Sequence, residues 1–234
     1  MNLSLEELFK NSYCLTISEE KYRQFTERLK KALGNETSVP KKVLGIKSSE
    51  ANLKKIFGQK FNREDVASMK SIFVTAEHYF LVRMAKEIDF PFVTIFEDDA
   101  VPHKKLIEKL SFYLSNIPGD LDCLRLGYTR TIDRFQKEKP VSIDERFMQR
   151  NVFGSHAYVV FKKYYDAFLR KDDPTLIIDD LRINPISGGK IYLTKEPLFI
   201  QYDLVGSKDK IHGIKGNSYY DRFSNEIDPS NYIT

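Results

Sequence analysis

Cysteine is scarce in this sequence, long apolar runs are missing, and neither sign of charge dominates. The two cysteines, Cys14 and Cys123, lie in short apolar runs without zinc-binding spacing, so we expect buried thiols and no disulfide framework. No run reaches the roughly eighteen consecutive apolar residues of a transmembrane helix. The formal net charge is only +4, which is too small to predict nucleic acid as a partner.

A secretory signal is also missing from the start of the sequence. The opening residues, MNLSLEELFKNS, contain no basic segment followed by an apolar one. We therefore expect a cytoplasmic protein, and the mild basic excess is compatible with peripheral contact at the inner face of a membrane. With 234 residues, 41% of them apolar, and no low-complexity tract, the chain is long enough to form one large domain.

Apolar runs typical of strands alternate with segments of helical periodicity. A strand at 13–17 leads to Ser18 as a helix N-cap, and the helical spacing that follows ends at Gly34. The other predicted strands are 42–46, 92–96, 121–126, 157–161, 191–194 and 198–201, and the other predicted helices are 49–57, 64–87, the segment after Pro102, and 162–170. This alternation predicts an α/β fold with a mostly parallel central sheet flanked by helices.

Three consecutive carboxylates, Glu97, Asp98 and Asp99, directly follow the apolar strand FVTIF at 92–96. Like charges side by side raise one another's pKa unless a cation or hydrogen-bond donors compensate them. The alternative is an acidic helix N-terminus, for which a single carboxylate would suffice. Pro102 also follows too closely for a helix start to account for all three. Ligands of parallel α/β sheets bind beyond the carboxyl ends of the strands, so we favour a site for Mg²⁺ or Mn²⁺ with phosphate oxygens.

Two later segments carry further candidates. Asp179 and Asp180 follow an apolar run and are either a helix cap or a general base for an acceptor hydroxyl. Lys208, Lys210 and His212 lie in the basic stretch GSKDKIHGIKG, which is either a solvated tail or a segment that closes on a diphosphate, with His212 as a further metal ligand.

Two histidines and one long segment remain open to two interpretations each. His78 falls opposite the apolar stripe of its helix, so it is either solvated or reaches toward a site. His156, before the strand at 157–161, either supports a site or is an ordinary turn residue. The segment 128–151 has no clear period and is rich in arginine and lysine. It is either disordered or functional, and as a functional loop it is our candidate for contact with the acceptor.

Taken together and in this order, IFEDDA, the LRLG strand end, GSHAYVV, IIDDL and PLFIQ resemble glycosyltransferase family 25, which includes bacterial lipooligosaccharide galactosyltransferases and relatives of collagen galactosyltransferases. The resemblance runs from about Tyr13 to about Ser207. It implies a GT-A-like single domain over 1–234, with a donor-binding half at about 13–127 and an acceptor and catalytic half at about 128–234.

The resemblance implies an inverting, metal-dependent transfer of a sugar from a UDP-sugar donor to a glycan or glycolipid acceptor such as lipooligosaccharide. Galactose is the sugar that it favours. In this family's pattern Glu97, Asp98 and Asp99 match the metal and nucleotide motif, with Asp99 as the direct ligand, and Asp179 or Asp180 matches an acidic position after the HAY strand.

His78 matches the histidine of a Ser-His pair in the same family. Departures from the pattern are Glu77 before His78, the bulky pair Phe73-Val74, and Thr16 in the first strand. The departures at Glu77 and Phe73-Val74 favour, as the alternative, a catalytically degenerate nucleotide-binding module of the same fold.

Overall fold

The computed structural model of the protein describes residues 2–34, 38–45, 69–129, 139–169, 182–201 and 227–233. Its α-helices are α1 (Leu5–Lys10), α2 (Glu19–Leu33), α3 (Met69–Glu87), α4 (Leu106–Leu114) and α5 (Tyr165–Leu169). Its strands are β1 (Ser12–Thr16), β2 (Lys41–Leu44), β3 (Phe92–Glu97), β4 (Ala100–Pro102), β5 (Cys123–Arg125), β6 (Val141–Ser142), β7 (Phe147–Gln149), β8 (Ala157–Phe161), β9 (Ile191–Thr194) and β10 (Phe199–Gln201). Short 3₁₀ turns cover Lys162–Tyr164, Pro185–Ser187 and Pro229–Asn231.

The main sheet of the described residues has the strand order β2-β1-β3-β8-β5-β9-β7-β6. β1 pairs in parallel with β2 and β3, and β5 pairs in parallel with β9. β8 lies between β3 and β5 and runs antiparallel to both. The α/β class is confirmed, but the sheet is mixed and not mostly parallel. The reason is that an all-apolar strand such as AYVVF has the same pattern in either direction.

Helices cover both faces of this sheet. One core cluster joins β3 to α1, α2 and α4, and in it the ring of Phe96 lies 6.0 Å from that of Phe9 and 5.7 Å from that of Phe25. The other cluster packs α3 and α5 on the opposite face, through Leu81 and Phe168 among others. Both faces of the central strands are therefore buried, which explains their nearly continuous apolar sequences.

The local signals of α2 act as predicted. The Ser18 side chain accepts a hydrogen bond from the backbone N–H of Lys21 at 3.2 Å, and the Gly34 N–H donates to the Lys30 carbonyl at 2.8 Å. Gly34 has φ of 83°, a conformation that glycine adopts without a steric penalty. The predicted cap and stop residues of this helix are confirmed.

The buried face of α3 agrees only in part with the predicted apolar stripe of Val66, Met69, Phe73, Ala76, Phe80 and Met84, of which Phe73 and Ala76 are buried. Phe80 is 46% exposed, whereas Leu81, Val82 and Ala85 are fully buried, and so is His78. These four buried residues recur at helical spacing, so a polar residue occupies a core position. The prediction that His78 lies opposite the packed face is therefore wrong. Of its two interpretations, the solvated one is excluded, and His78 reaches toward the acidic residues with its Nε2 3.1 Å from Glu97 Oε1.

Part of the basic segment 128–151 forms a hairpin. β6 pairs with β7, and β7 extends the main sheet next to β9. Arg146 donates to the carbonyls of Ser115 and Asn116, just after α4. This side chain of the segment that we expected to contact the acceptor is therefore bonded to the end of a helix. Residues 130–138 and the predicted helix at 49–57 lie outside the described residues.

A second, small sheet follows the acidic residues. β4 pairs antiparallel with β10, and His103 forms an isolated bridge with Tyr232. The N–H of Ile233 donates to the Pro102 carbonyl at 3.0 Å, and the Tyr232 hydroxyl donates to the Pro197 carbonyl at 2.7 Å. Residues 227–233 are thus attached to the outer side of β4. Among the described helices, none is both long and apolar enough to cross a membrane.

Candidate functional site

The acidic residues form a turn, here called the acid turn, in which Glu97 ends β3 and Asp98-Asp99 connect it to β4. Two anchors hold its backbone. The Asp98 N–H donates to the Leu15 carbonyl at 3.0 Å, and the guanidinium of buried Arg28 donates to the Asp98 carbonyl at 2.9 Å. The predicted position at the carboxyl end of a central strand is confirmed, and the structure adds that this end lies next to the end of β1.

The Asp98 carboxylate is oriented by the end of β1. Its Oδ2 lies 2.7 Å from the Thr16 hydroxyl, whose single hydrogen can go to this oxygen or to the Ser18 carbonyl at 2.8 Å. The same Oδ2 accepts from the backbone N–H of Ile17 at 3.3 Å. Thr16 is buried, whereas Ile17 is 75% exposed. Asp98 is therefore a partly exposed carboxylate in a fixed orientation beside an exposed apolar side chain.

Asp99 faces the small sheet. Its Oδ2 lies 3.4 Å from the Nε2 of Gln201 at the end of β10, which is a long hydrogen bond. Like Asp98, it is partly exposed. The two aspartates thus project from one turn toward different neighbours, and the Oδ1 of Asp99 is itself buried.

Glu97 turns the other way, between α3 and β8. Its Oε1 lies 3.1 Å from His78 Nε2 and also accepts from the Ser155 hydroxyl, and the side chain is 19% exposed. Burial alone would raise the pKa of Glu97, but the His78 imidazole and the Ser155 hydroxyl outweigh that effect and hold the pKa below its ordinary value. Glu97 is thus an ionised hydrogen-bond acceptor.

The three carboxylates do not converge on one point. Within the described ranges, no three histidine, cysteine, aspartate or glutamate side chains are grouped so that they could hold a metal ion. Hydrogen-bond donors of the protein also compensate part of the repulsion between the carboxylates, which the sequence alone led us to expect from a cation. Asp98 and Asp99 still fit a hard cation, because Mg²⁺ is usually held by one or two carboxylates together with substrate phosphates.

His156 lies behind the acid turn and is completely buried. Its Nε2 donates to the Phe199 carbonyl at 3.0 Å, and its Nδ1 is buried with no hydrogen-bond partner among the described residues. Burial lowers the pKa of His156 to about 4, so the ring is neutral at pH 7. The imidazole packs against Gly127 and Gly154, where a Cβ would come within 2.5 Å and 2.9 Å of its atoms.

Several functional predictions lie outside the described residues: Asp179, Asp180, Lys208, Lys210 and His212. They stay predictions. Conversely, the sequence analysis did not assign Arg28, Ser155 or Tyr158 to the site. Tyr158 is a strand residue with no local signal of its own, and only the pairing of β3 with β8 brings it opposite Ile95.

By sequence, the chain matches no protein-family profile and no curated protein. Among solved structures it is similar to the inositol-1-phosphate CTP transferase from T. maritima, with 12% identity, a TM-score of 0.40, and coverage of 92% of this chain and 95% of that one. It is also similar to the mannose-1-phosphate geranyltransferase from Thermus thermophilus, with 10% identity, a TM-score of 0.35, and coverage of 79% and 73%. Both similarities are distant.

Proposed function

We propose that the chain is a GT-A-like glycosyltransferase that moves a sugar, galactose above all, from a UDP-sugar to a glycan or glycolipid acceptor such as lipooligosaccharide. The observation that carries the proposal is the acid turn itself. Asp98 and Asp99 project, partly exposed, from the carboxyl end of β3, beside the end of β1. The ordered motifs that resemble glycosyltransferase family 25 support the assignment to sugar transfer.

In this proposal, Asp98 and Asp99 hold Mg²⁺ or Mn²⁺ together with the donor diphosphate. The cation would neutralise charge on the departing nucleotide. Thr16 keeps the Asp98 carboxylate in place through its 2.7 Å hydrogen bond, so the carboxylate is oriented before the donor arrives. Ile17 offers an exposed apolar surface next to it.

Transfer with inversion needs a base and no enzyme nucleophile, because the acceptor hydroxyl attacks the anomeric carbon directly. We assign the base to Asp179 or Asp180. Lys208, Lys210 and His212 are proposed to contact the donor diphosphate, with His212 as a further ligand of the cation. Basic side chains would also favour an acceptor with anionic groups at a membrane surface.

The test is a screen for nucleotide release from UDP-, GDP- and CMP-sugars, with and without Mn²⁺. We expect Mn²⁺-dependent release from a UDP-sugar, and we expect Asp99→Asn and Asp98→Asn to lower kcat/KM by about 100-fold, equivalent to about 2.7 kcal/mol. Asp120→Asn is the matched control, because its carboxylate pairs with Lys190 at the surface. Full activity in Asp99→Asn would contradict the assigned metal role.

A second candidate is a catalytically degenerate module that binds nucleotide without turnover. It is favoured by the inward orientation of Glu97 and by the finding that no three potential ligands are grouped in the described part of the chain. Calorimetric titration with UDP and Mn²⁺ separates the two candidates. Binding without turnover on any acceptor would support the module and contradict the enzyme.

A further inference from the structure

A chain of hydrogen bonds runs from β8 through α3 to the acid turn. The Tyr158 hydroxyl lies 2.6 Å from His78 Nδ1, and His78 Nε2 lies 3.1 Å from Glu97 Oε1. The Ser155 hydroxyl donates to the same oxygen. Tyr158 and His78 are fully buried, and their rings stack with centroids 5.6 Å apart. Here this set of four side chains is called the Tyr158–Glu97 chain.

The hydrogens of this chain can be arranged so that every donor points toward Glu97. In this arrangement the Tyr158 hydroxyl donates to His78 Nδ1, the Nε2–H of the same imidazole donates to Oε1, and the Ser155 hydroxyl donates to Oε1. Each hydrogen is used once and the carboxylate acts only as acceptor. A largely buried hydrogen-bond network of this kind restricts the positions of its members.

The backbone on either side of the Glu97 side chain is fixed as well. The Glu97 N–H donates to the His156 carbonyl at 3.0 Å, and the Asp98 N–H donates to the Leu15 carbonyl at 3.0 Å. The Glu97 carboxylate faces His78 and Ser155, whereas the carboxylates of Asp98 and Asp99 face Thr16 and Gln201. The Tyr158–Glu97 chain therefore separates one carboxylate from the other two, which lowers their mutual repulsion.

We propose that His78 and Tyr158 are positioning residues for the acid turn: they hold Glu97 by Oε1 and thereby fix the backbone from which Asp98 and Asp99 project. The proposal deepens the proposed function, on which its nucleotide-binding consequence rests. Glu97 in this role is an anchor of the turn and does not ligate the cation through Oε1.

Two substitutions of His78 separate positioning from packing. A glutamine amide lies near the Nε2 position and keeps the donor to Glu97, whereas an asparagine amide lies near the Nδ1 position and loses it. Both are polar amides at the same buried site, so a purely structural role predicts similar damage from either. Tyr158→Phe removes only the hydroxyl. Its control is Tyr165→Phe, because the buried Tyr165 hydroxyl has no hydrogen-bond partner among the described residues.

Two measurements on the full chain complete the experiment: hydrogen–deuterium exchange of the peptide that contains the acid turn, without ligand, and calorimetric titration of UDP with Mn²⁺. We expect His78→Asn to speed exchange and to raise the Kd for UDP by about tenfold each, the factor for one hydrogen bond to a charged group. His78→Gln should stay within about threefold of wild type in both.

Equal behaviour of the asparagine and glutamine variants, in either direction, would overturn the positioning role. If wild type binds no UDP but turn exchange still separates asparagine from glutamine, the proposed function fails while the positioning of the turn stands. If wild type binds UDP but turn exchange is the same in the asparagine and glutamine variants, the positioning role fails while the proposed function stands. If His78→Asn does not fold, Tyr158→Phe tests the positioning role. Exchange in the acid turn must then be faster in Tyr158→Phe than in wild type and unchanged in Tyr165→Phe.

Discussion

The buried imidazole of His156 makes the stability of this protein depend on pH in a range where few side chains titrate. Its Nε2–H is used by the Phe199 carbonyl, and protonation at Nδ1 would place a charged N–H where the described residues offer no acceptor. Burial of the imidazole lowers the pKa of His156 to about 4 from 6.5. Because the unfolded state binds the proton more tightly, unfolding takes up a proton and the free energy of unfolding rises with pH.

The magnitude follows from these two values. The stabilisation is fully present above pH 6.5 and is lost as the pH falls from 6.5 to about 4. Its full size is about 3 kcal/mol, of which about 2 kcal/mol disappears between pH 7 and pH 5. That is a large share of the stability of an ordinary domain.

The assay compares wild type with His156→Gln, whose amide nitrogen can keep the bond to Phe199. Urea unfolding is followed by circular dichroism or tyrosine fluorescence, since the sequence has no tryptophan and 13 tyrosines. The two proteins share all other titrating groups. The free energy of unfolding of wild type minus that of the variant should therefore fall by about 2 kcal/mol from pH 7 to pH 5. A constant difference between the two proteins over that range would refute the reasoning.

Three further predictions concern single side chains. Thr16→Val removes the hydroxyl that lies 2.7 Å from Asp98 Oδ2 and should raise the calorimetric Kd for UDP with Mn²⁺ by about tenfold, with unchanged affinity contradicting the orienting role. Gly127→Ala places a Cβ 2.5 Å from His156 Nε2 and should lower the free energy of unfolding in urea by about 1–3 kcal/mol. The control Gly119→Ala, whose Cβ would have no atom within 4 Å, should leave the stability unchanged. Equal stability of the two variants would refute the steric argument. Cys14 and Cys123 are buried, which raises the pKa of both thiols, so iodoacetamide should label them only after unfolding, and rapid labelling of the native protein would exclude that burial.

Local signals in the sequence predicted the elements well and their relations less well. Ser18 and Gly34 specify the ends of α2 through their own backbone and side-chain chemistry, so these ends follow from a few adjacent residues. The direction of β8 depends on where the chain re-enters the sheet, which its apolar residues do not encode. The α/β class was therefore predictable, and the mixed sheet was not.

The same distinction applies to the site. The position of the acid turn followed from an apolar strand that ends in Glu97-Asp98-Asp99, and this prediction is confirmed. The partners of each carboxylate could not be predicted, because Thr16, His78 and Ser155 come from distant parts of the chain. A polar residue at a buried helical position, as at His78, breaks the hydrophobic pattern and is misassigned when only apolar residues are counted.

The attachment of residues 227–233 to β4 makes the far end of the sequence part of the architecture around Asp99. Removing it would uncover the buried side chains of Val101 and Ile200 and expose unpaired backbone groups along β4. Exposed strand edges of this kind recruit strands from other molecules. A variant that lacks residues 227–233 should therefore self-associate.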